Sequence, residues 1–426
     1  MQRRSFLTGA GLASLALMTS CSKDDGGSDA TEITPETEAT LTLAYWDKNQ
    51  TPTVKENIKR FNEQYPKIKV TTNVAGYEDW WKKLRTQAQG DELPDVFWMN
   101  GPNIELYAGN DMLEPLDDVT ELDVDWGNYP EALVELYTVE DKHYGIPKDF
   151  DTIAVWYNKT IFDEAKVDLP KPGWTWDDFH TAAKAVSDWG KSKGVYGAVL
   201  GYAENQSTYY NTIPQAGGEF ITDGKSGFGS PEAIKGLKVI ADWAADGSAA
   251  PVDVVTDLKA ANMFITGKAA MFWCGDWKLP EFQEAFKGKE KDIDVIELPK
   301  GEKQATVIHG LSWAVSAKSK AKAAAKALAA WMGSKDSALV EANNGTAIPA
   351  FNGTQDAWVK TVPDWNLQAH IDAAEYAVPY PTSKNSSAWE DRQSEFFLPA
   401  FSGEKSVEQA ATEYAKFMDD ALAKEQ

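Results

Sequence analysis

The side chains with most to offer chemically are aromatic rings set beside short polar residues. They occur as Tyr45-Trp46-Asp47, Trp80-Trp81, Trp98-Met99-Asn100, Gly173-Trp174-Thr175-Trp176 and Gly275-Asp276-Trp277, in a chain with 17 Trp and 15 Tyr. Rings on periodic apolar faces read as core. Rings next to Asn, Asp and Gly at the ends of elements read as binding-site walls. Any one of these rings fits a core position equally well; the set predicts an aromatic-lined cleft. The chemistry is recognition, not bond making.

Groups that would make or break covalent bonds are harder to find. No HExxH or CxxC spacing occurs, and His143, His180, His309 and His370 are scattered along the sequence, so no metal and no cofactor is expected. Gly310-Leu311-Ser312-Trp313-Ala314 lacks the last glycine of a nucleophile elbow, and its serine falls inside a predicted strand. Asp123-Val124-Asp125-Trp126-Gly127 lacks the third oxygen position and the distal Glu of a calcium loop. Among 65 acids some pair always has the spacing of roughly 5–10 Å that glycoside hydrolysis needs, so a secreted glycosidase is carried as an alternative. The expectation is a protein that binds and does not catalyse.

The start of the chain carries a different chemistry. Arg3 and Arg4 precede an uncharged run from Phe6 to Met18, followed by Thr19-Ser20-Cys21. This is the pattern of an export signal, and the run is shorter than the roughly 20 residues a spanning helix needs. Leu17-Met18-Thr19-Ser20-Cys21 resembles a bacterial lipobox. That implies a signal peptide over 1–20 and a diacylated Cys21 as the first residue of the mature chain. Gln2-Arg3-Arg4-Ser5-Phe6-Leu7 resembles a twin-arginine signal, which implies export in the folded state. Residues 21–39 read as a flexible, lipid-anchored tether, poor in anything to bury. The expected location is the outer face of the bacterial cell membrane, with lipid as the sole membrane contact. With Cys21 acylated, Cys274 has no partner within the chain for a disulfide. The net charge of −23, made more negative by loss of Arg3 and Arg4, disfavours nucleic acid and anionic headgroups.

A length of 426 residues exceeds what one core usually holds, so two lobes are expected. Residues 41–46 read as a strand. Thr51 is placed to cap a helix with Pro52 at its first position and Val54, Ile58, Phe61 and Tyr65 along one stripe. Residues 68–74 alternate as a second strand, 78–89 form a helix closed by Gly90, and 94–98 form a third strand before a short helix over 103–108. Strand–helix–strand–helix is the signature of a parallel sheet covered on both faces. A further unit starts with a strand over 152–157. It continues with a capping box at Thr175 and Asp178 for a helix over 176–189, and a helix from Pro231 to about Ala245. Residues 257–266 read as a helix, 270–274, 293–298 and 307–315 as strands, and 321–332 and 407–423 as helices.

The order of motifs resembles the extracellular solute-binding proteins of the maltose-binding type, the sugar-capturing components of ABC importers. The matching pieces are Leu93-Pro94-Asp95-Val96-Phe97-Trp98, Tyr107-Ala108-Gly109-Asn110-Asp111-Met112-Leu113-Glu114-Pro115-Leu116, Tyr144-Gly145-Ile146-Pro147 and Trp156-Tyr157-Asn158-Lys159. They continue with Gly173-Trp174-Thr175-Trp176-Asp177-Asp178-Phe179, Phe264-Ile265-Thr266-Gly267-Lys268-Ala269-Ala270-Met271, Gly275-Asp276-Trp277 and Gly310-Leu311-Ser312-Trp313. Together they cover nearly the whole mature chain. The resemblance implies a bilobed periplasmic-binding-protein fold, two α/β lobes joined by a multi-strand hinge. The N-terminal lobe would be 40–149 with 312–345, and the C-terminal lobe 150–311 with 346–426. It also implies a carbohydrate held between the lobes, closure about the hinge, and delivery to the permease subunits of an ABC transporter by a monomer.

By resemblance, Trp98 stands where the family places a stacking ring, with Asn100 two residues on. Asp47 and Lys48 match a position that bonds sugar hydroxyls, and Asp151 matches an acid at the first crossover. From the second lobe come Gly275, Asp276 and Trp277, then Trp389 with Arg392 beside it, and Tyr209 and Tyr210, of which one is expected to face the cleft. Trp313, Trp80 and Trp81 complete the set. A sugar offers apolar C–H faces that stack on rings, and hydroxyls that need Asp, Asn, Gln or Arg. Trp80-Trp81 replaces an acidic stretch of the maltose-specific relatives, which points away from maltose, and so many Trp suit an oligosaccharide. The rival of another class is a lipid-anchored surface adhesin for glycans or proteins; peptides or polyamines are smaller alternatives as transported ligands.

Overall fold

The structure is a computed structural model that describes residues 33–425; the export signal, Cys21 and most of the tether lie outside the described residues. The first sheet begins with three parallel strands, Ala39–Tyr45, Ile68–Val74 and Val96–Asn100, with the first in the middle. Leu41, Leu43 and Tyr45 alternate inward and are fully buried. Ile68–Val74 lies at the edge and buries only Ile68, so its Lys and Asn side chains stay in water. Val96–Asn100 is buried at all five positions, as a central strand covered on both faces must be. Helices Thr51–Gln64 and Tyr77–Gln89 provide the crossovers. Thr51 is the first helical residue, not the cap expected; Gln50 takes that place without a side-chain bond, and the Tyr45 hydroxyl meets the Thr51 hydroxyl at 3.1 Å.

The sheet is mixed and not wholly parallel. Beyond Val96–Asn100 it continues antiparallel with Thr306–Val315, Ile146–Asp151 and Ile348–Pro349, the first and last of which come from the second half of the chain. A second sheet, in the order Ile293–Glu297, Ile153–Asn158, Ala269–Gly275 and Tyr196–Val199, forms the other lobe. There the capping box is present: Thr175 accepts from the Asp178 amide, Asp178 accepts from the Thr175 amide, and helix Trp176–Gly190 follows. Helix Pro231–Ala245 starts at its proline, capped by Ser230. The single helix expected over 257–266 is two, Val252–Leu258 and Ala260–Ile265, divided at Lys259 with φ +65°.

Three passes of the chain join the lobes. Ile146–Asp151 of the first sheet and Ile153–Asn158 of the second are separated by Thr152, whose hydroxyl donates to the His370 carbonyl at 2.7 Å. The strand Thr306–Val315 pairs with Ala377–Pro379 at its start and with Val96–Asn100 and Ile146–Asp151 afterwards. Asn211 fastens that start, accepting from the Val307 amide at 3.0 Å and the Thr306 hydroxyl at 3.1 Å. The third pass is Ile348–Pro349, paired to Phe150 and Asp149. At Gly310 a Cβ would stand 2.2 Å from the Asp149 carbonyl oxygen, so only glycine lets the first two passes lie this close. Among the described residues no helix is long and apolar enough to cross a membrane.

Candidate ligand-binding cleft

Trp46 follows the first strand and is the hub of an indole cluster. Its ring lies 5.0 Å from Trp98, 5.3 Å from Trp80, 5.7 Å from Tyr77 and 5.8 Å from Trp81. Trp98 in turn meets Tyr45 at 5.3 Å and Trp313 at 6.0 Å. The cluster has two layers. Trp80, Trp98 and Trp313 are buried and none of their indole N–H groups finds a partner among the described residues, whereas Trp46 and Trp81 are half-buried and Tyr77 is 56% exposed. Helix periodicity produces the split: Trp80 and Leu84 share the inward face of Tyr77–Gln89, while Tyr77 and Trp81, also four apart, share the next.

Tyr77 looks across to the second lobe. Although the side chain as a whole is 56% exposed, its hydroxyl end is crowded by protein, and that desolvation first, then Glu390 and Asp391, push it up to about 12. Arg85, two turns further along the same helix, opposes the burial that raises Asp391. Leu106 and Asn110 share a cavity of about 460 Å³ with Lys384, Asn385, Ala388 and Phe417 of the facing lobe. Glu390 accepts from the Tyr380 hydroxyl and from Asn205 Nδ2 at 3.0 Å, and burial carries it up to about 7.

Behind Glu390 lies a fully satisfied polar core. Gln393 Oε1 accepts from the Tyr209 hydroxyl at 2.7 Å and from Asn205 at 3.1 Å; its Nε2 donates to Tyr210 at 2.7 Å and to Tyr414 at 2.8 Å. Tyr209 and Tyr210 are both buried. Trp389 is also fully buried, its indole donating to Ser383 at 2.9 Å. Arg392 is exposed, bonded to Glu395 at 2.9 and 2.5 Å and resting over the Phe417 ring.

The three passes form the floor. Gly275 ends its strand, and a Cβ there would stand 1.8 Å from the Trp277 indole, so glycine lets that half-buried ring lie along the backbone. Asp276 between them is 1% exposed; the backbone amides of Asp276 itself and of Ile348 lie at its carboxylate, but among the described residues neither oxygen closes a hydrogen bond of normal geometry. Gln206 donates to Asp151. Lys148 bridges Asp149 at 2.5 Å and Glu341, and its ammonium sits 4.9 Å from the Trp98 ring centre. His309 is buried and held neutral, its value lowered to about 3, with its ring 4.5 Å from Tyr380. Among the described residues no group of three or more His, Cys, Asp or Glu is arranged to hold a metal ion.

The expected residues therefore separate by depth. Trp81 and Trp277 are partly open, as is Asp47, which accepts from the Asn49 amide at 2.8 Å and caps a short turn bearing the exposed Lys48. Trp80, Trp98, Trp313, Trp389, Tyr209 and Tyr210 stand behind the walls, and Asn100 is buried with Asn103 donating to it at 2.9 Å. Sequence reasoning passed over Tyr77, Arg85, Asn205, Gln206, Tyr380, Glu390 and Asp391, and quoted Trp46 without selecting it. An aromatic opening a helix after glycine, as in Gly76-Tyr77, was the available signal for the first.

Two lobes with a ring-lined face, joined by three strands, are the architecture of a binding protein that shuts on its ligand. The chain belongs to the bacterial extracellular solute-binding protein family, whose model matches residues 47–339. It is 26% identical over 326 residues to the galactooligosaccharide-binding protein of Bacillus subtilis, covering 72% of each chain. It is 22% identical to the diacetylchitobiose binding protein of Streptomyces coelicolor, covering 76% of each. Among solved structures, a Listeria monocytogenes ABC substrate-binding protein in complex with cycloalternan superposes with a TM-score of 0.83 at 25% identity. That match covers 91% of this chain and all of the other. A maltose-bound T. maritima protein shares the fold with a TM-score of 0.77 at 21% identity, covering 90% of this chain and all of the other.

Proposed function

We propose that this protein captures an oligosaccharide between its lobes, without altering it, and hands it to the permease of an ABC importer. The observation that carries the reading is the pairing of partly open rings, Trp46, Tyr77 and Trp81, with Glu390 and Asp391 opposite. Rings take the C–H faces of sugars, and carboxylates accept from their hydroxyls. Trp277, Asp47 and Asp151 contribute from the floor and the first strand. Trp98, Trp80, Trp313, Trp389, Tyr209 and Tyr210 act from behind by fixing the walls. The ligands named for the relatives, galactooligosaccharide and diacetylchitobiose among them, support a sugar of more than one unit. Acylated Cys21 holds the protein at the outer face of the cell membrane as a monomer, a reading supported by the lipobox-like segment.

A thermal-shift screen against mono- and oligosaccharides tests this. Binding stabilises by RT ln(1 + [L]/Kd), about 2.7 kcal/mol at a hundredfold excess over Kd. An oligosaccharide hit is expected, with affinity reduced at least about tenfold in Trp277→Ala, the loss of roughly 1.4 kcal/mol. A panel without any shift, or appearance of hydrolysis products, overturns the reading.

A further inference from the structure

The carboxylate wall of the second lobe is steadied by the turn that follows helix Val407–Leu422. In that turn the amides of Ala423, Lys424 and Glu425 donate to the carbonyls of Asp419, Ala421 and Leu422. The turn sets Glu425 against the loop that runs into Trp389, Glu390 and Asp391. One carboxylate oxygen, Glu425 Oε1, accepts from the Ser383 hydroxyl at 2.9 Å and from the Asn385 amide at 3.1 Å. The Glu425 carbonyl accepts from the Lys384 ammonium at 3.3 Å.

The loop passes this hold on to the wall. Ser383 Oγ, while donating to Glu425, accepts from the Trp389 indole at 2.9 Å. The Glu425 acceptor thus turns the hydroxyl proton away from the indole and a lone pair toward it. Without that acceptor the hydroxyl is free to rotate, and the buried indole loses a fixed partner. Ser386 braces the same loop: its hydroxyl accepts from the Ser383 amide at 2.8 Å and donates to the Ser383 carbonyl at 3.1 Å. The Ser386 carbonyl then accepts from the amides of Trp389 and Glu390 at 3.1 and 2.9 Å. Ser387–Glu390 is one turn of helix, too short to keep its direction unaided. A carboxylate on such a turn points where its anchors put it.

We infer that Glu425 is a positioning residue for sugar capture, acting through Ser383 and Trp389 to aim Glu390 and Asp391 at the cleft. The inference rests on the capture reading, because the aim matters only if those acids meet the sugar. Glu425 is half-buried and lines the cavity shared with Leu106 and Asn110, but its bonding oxygen is spent on the loop.

Two arms test it. Without sugar, hydrogen–deuterium exchange read by mass spectrometry follows the peptides spanning 383–391. Glu425→Ala should speed exchange there about fivefold, the Asn385 amide included, while Tm moves by no more than about 2 °C. Glu425→Gln keeps an acceptor oxygen without the charge and should restore slow exchange. In the second arm, the oligosaccharide giving the largest shift in the panel above is titrated calorimetrically. Its affinity should fall about fivefold in Glu425→Ala and recover in Glu425→Gln. Ser383→Ala should weaken binding by a similar factor, and the double variant by no more than either alone, since both cut one path. Unchanged exchange or unchanged affinity in Glu425→Ala overturns the inference. Losses that multiply in the double variant also overturn it, and make Glu425 a direct sugar contact. A panel without a hit sinks the capture reading instead, and the exchange arm then decides alone whether Glu425 holds the loop.

Discussion

The two lobes both invest in aromatic residues, and they hold them by different physics. In the first, Trp46, Trp80, Trp98 and Trp313 meet ring against ring, and the three buried indoles have N–H groups that bond to nothing among the described residues. In the second, Tyr209, Tyr210, Tyr380 and Tyr414 are all tied through hydroxyls to Gln393 or Glu390. Edge and tilted ring contacts add roughly 0.5–1.5 kcal/mol each and tolerate small rotations. Hydrogen bonds fix directions, and a buried one left unmade costs about 1–3 kcal/mol. One lobe offers faces; the other aims carboxylates.

Breaking each assembly at its centre tests this contrast most severely. Trp98→Ala removes a fully buried ring from the middle of the indole cluster and should cost ~3–5 kcal/mol in urea denaturation. Gln393→Leu takes away the partner of the Tyr209 and Tyr210 hydroxyls, while Asn205 keeps Glu390 and Tyr414 keeps the Trp389 carbonyl, with an expected loss on the order of 2–4 kcal/mol by the same measurement. Equal or smaller loss from Trp98→Ala than from Gln393→Leu would reverse the ranking. Tyr77→Ala sharpens it: the side chain is mostly exposed, so stability should change by less than about 1 kcal/mol while oligosaccharide affinity drops about tenfold. A test by pH comes from Glu390→Gln. Glu390 is raised to about 7, so its share of stability is present at low pH and lost as pH climbs through that value. The variant should show a smaller fall in Tm between pH 5 and pH 8 than the wild type.

Much of the fold was legible because its signals are local. The alternation of Ile68, Val70, Thr72 and Val74, the Thr175–Asp178 box and the Ser230-Pro231 start each mark an element that the structure contains. The division at Lys259 was not legible, since nothing in the neighbouring sequence calls for a positive φ there. The site was legible by composition more than by position. Trp98 lies in a strand buried at every residue, and that unbroken apolar run was a sign of the interior. Tyr209, Tyr210 and Trp389 are buried by partners more than a hundred residues away or by neighbouring loops, which no window reveals. Glu390 and Asp391 were hidden in plain view: in so acidic a chain, a carboxylate beside a tryptophan carries little information until its opposite wall is known.

A single peptide linker would leave the halves of the molecule free to swivel as well as fold. Here three backbone segments run side by side, cross-bonded at Leu311 and Asp149 and again at Ile348 and Phe150, so torsion is resisted like that of a short ribbon. What survives is essentially one degree of freedom. Under the function proposed above, a permease that grips both halves would have a single angle to read, and that angle would state whether cargo is aboard.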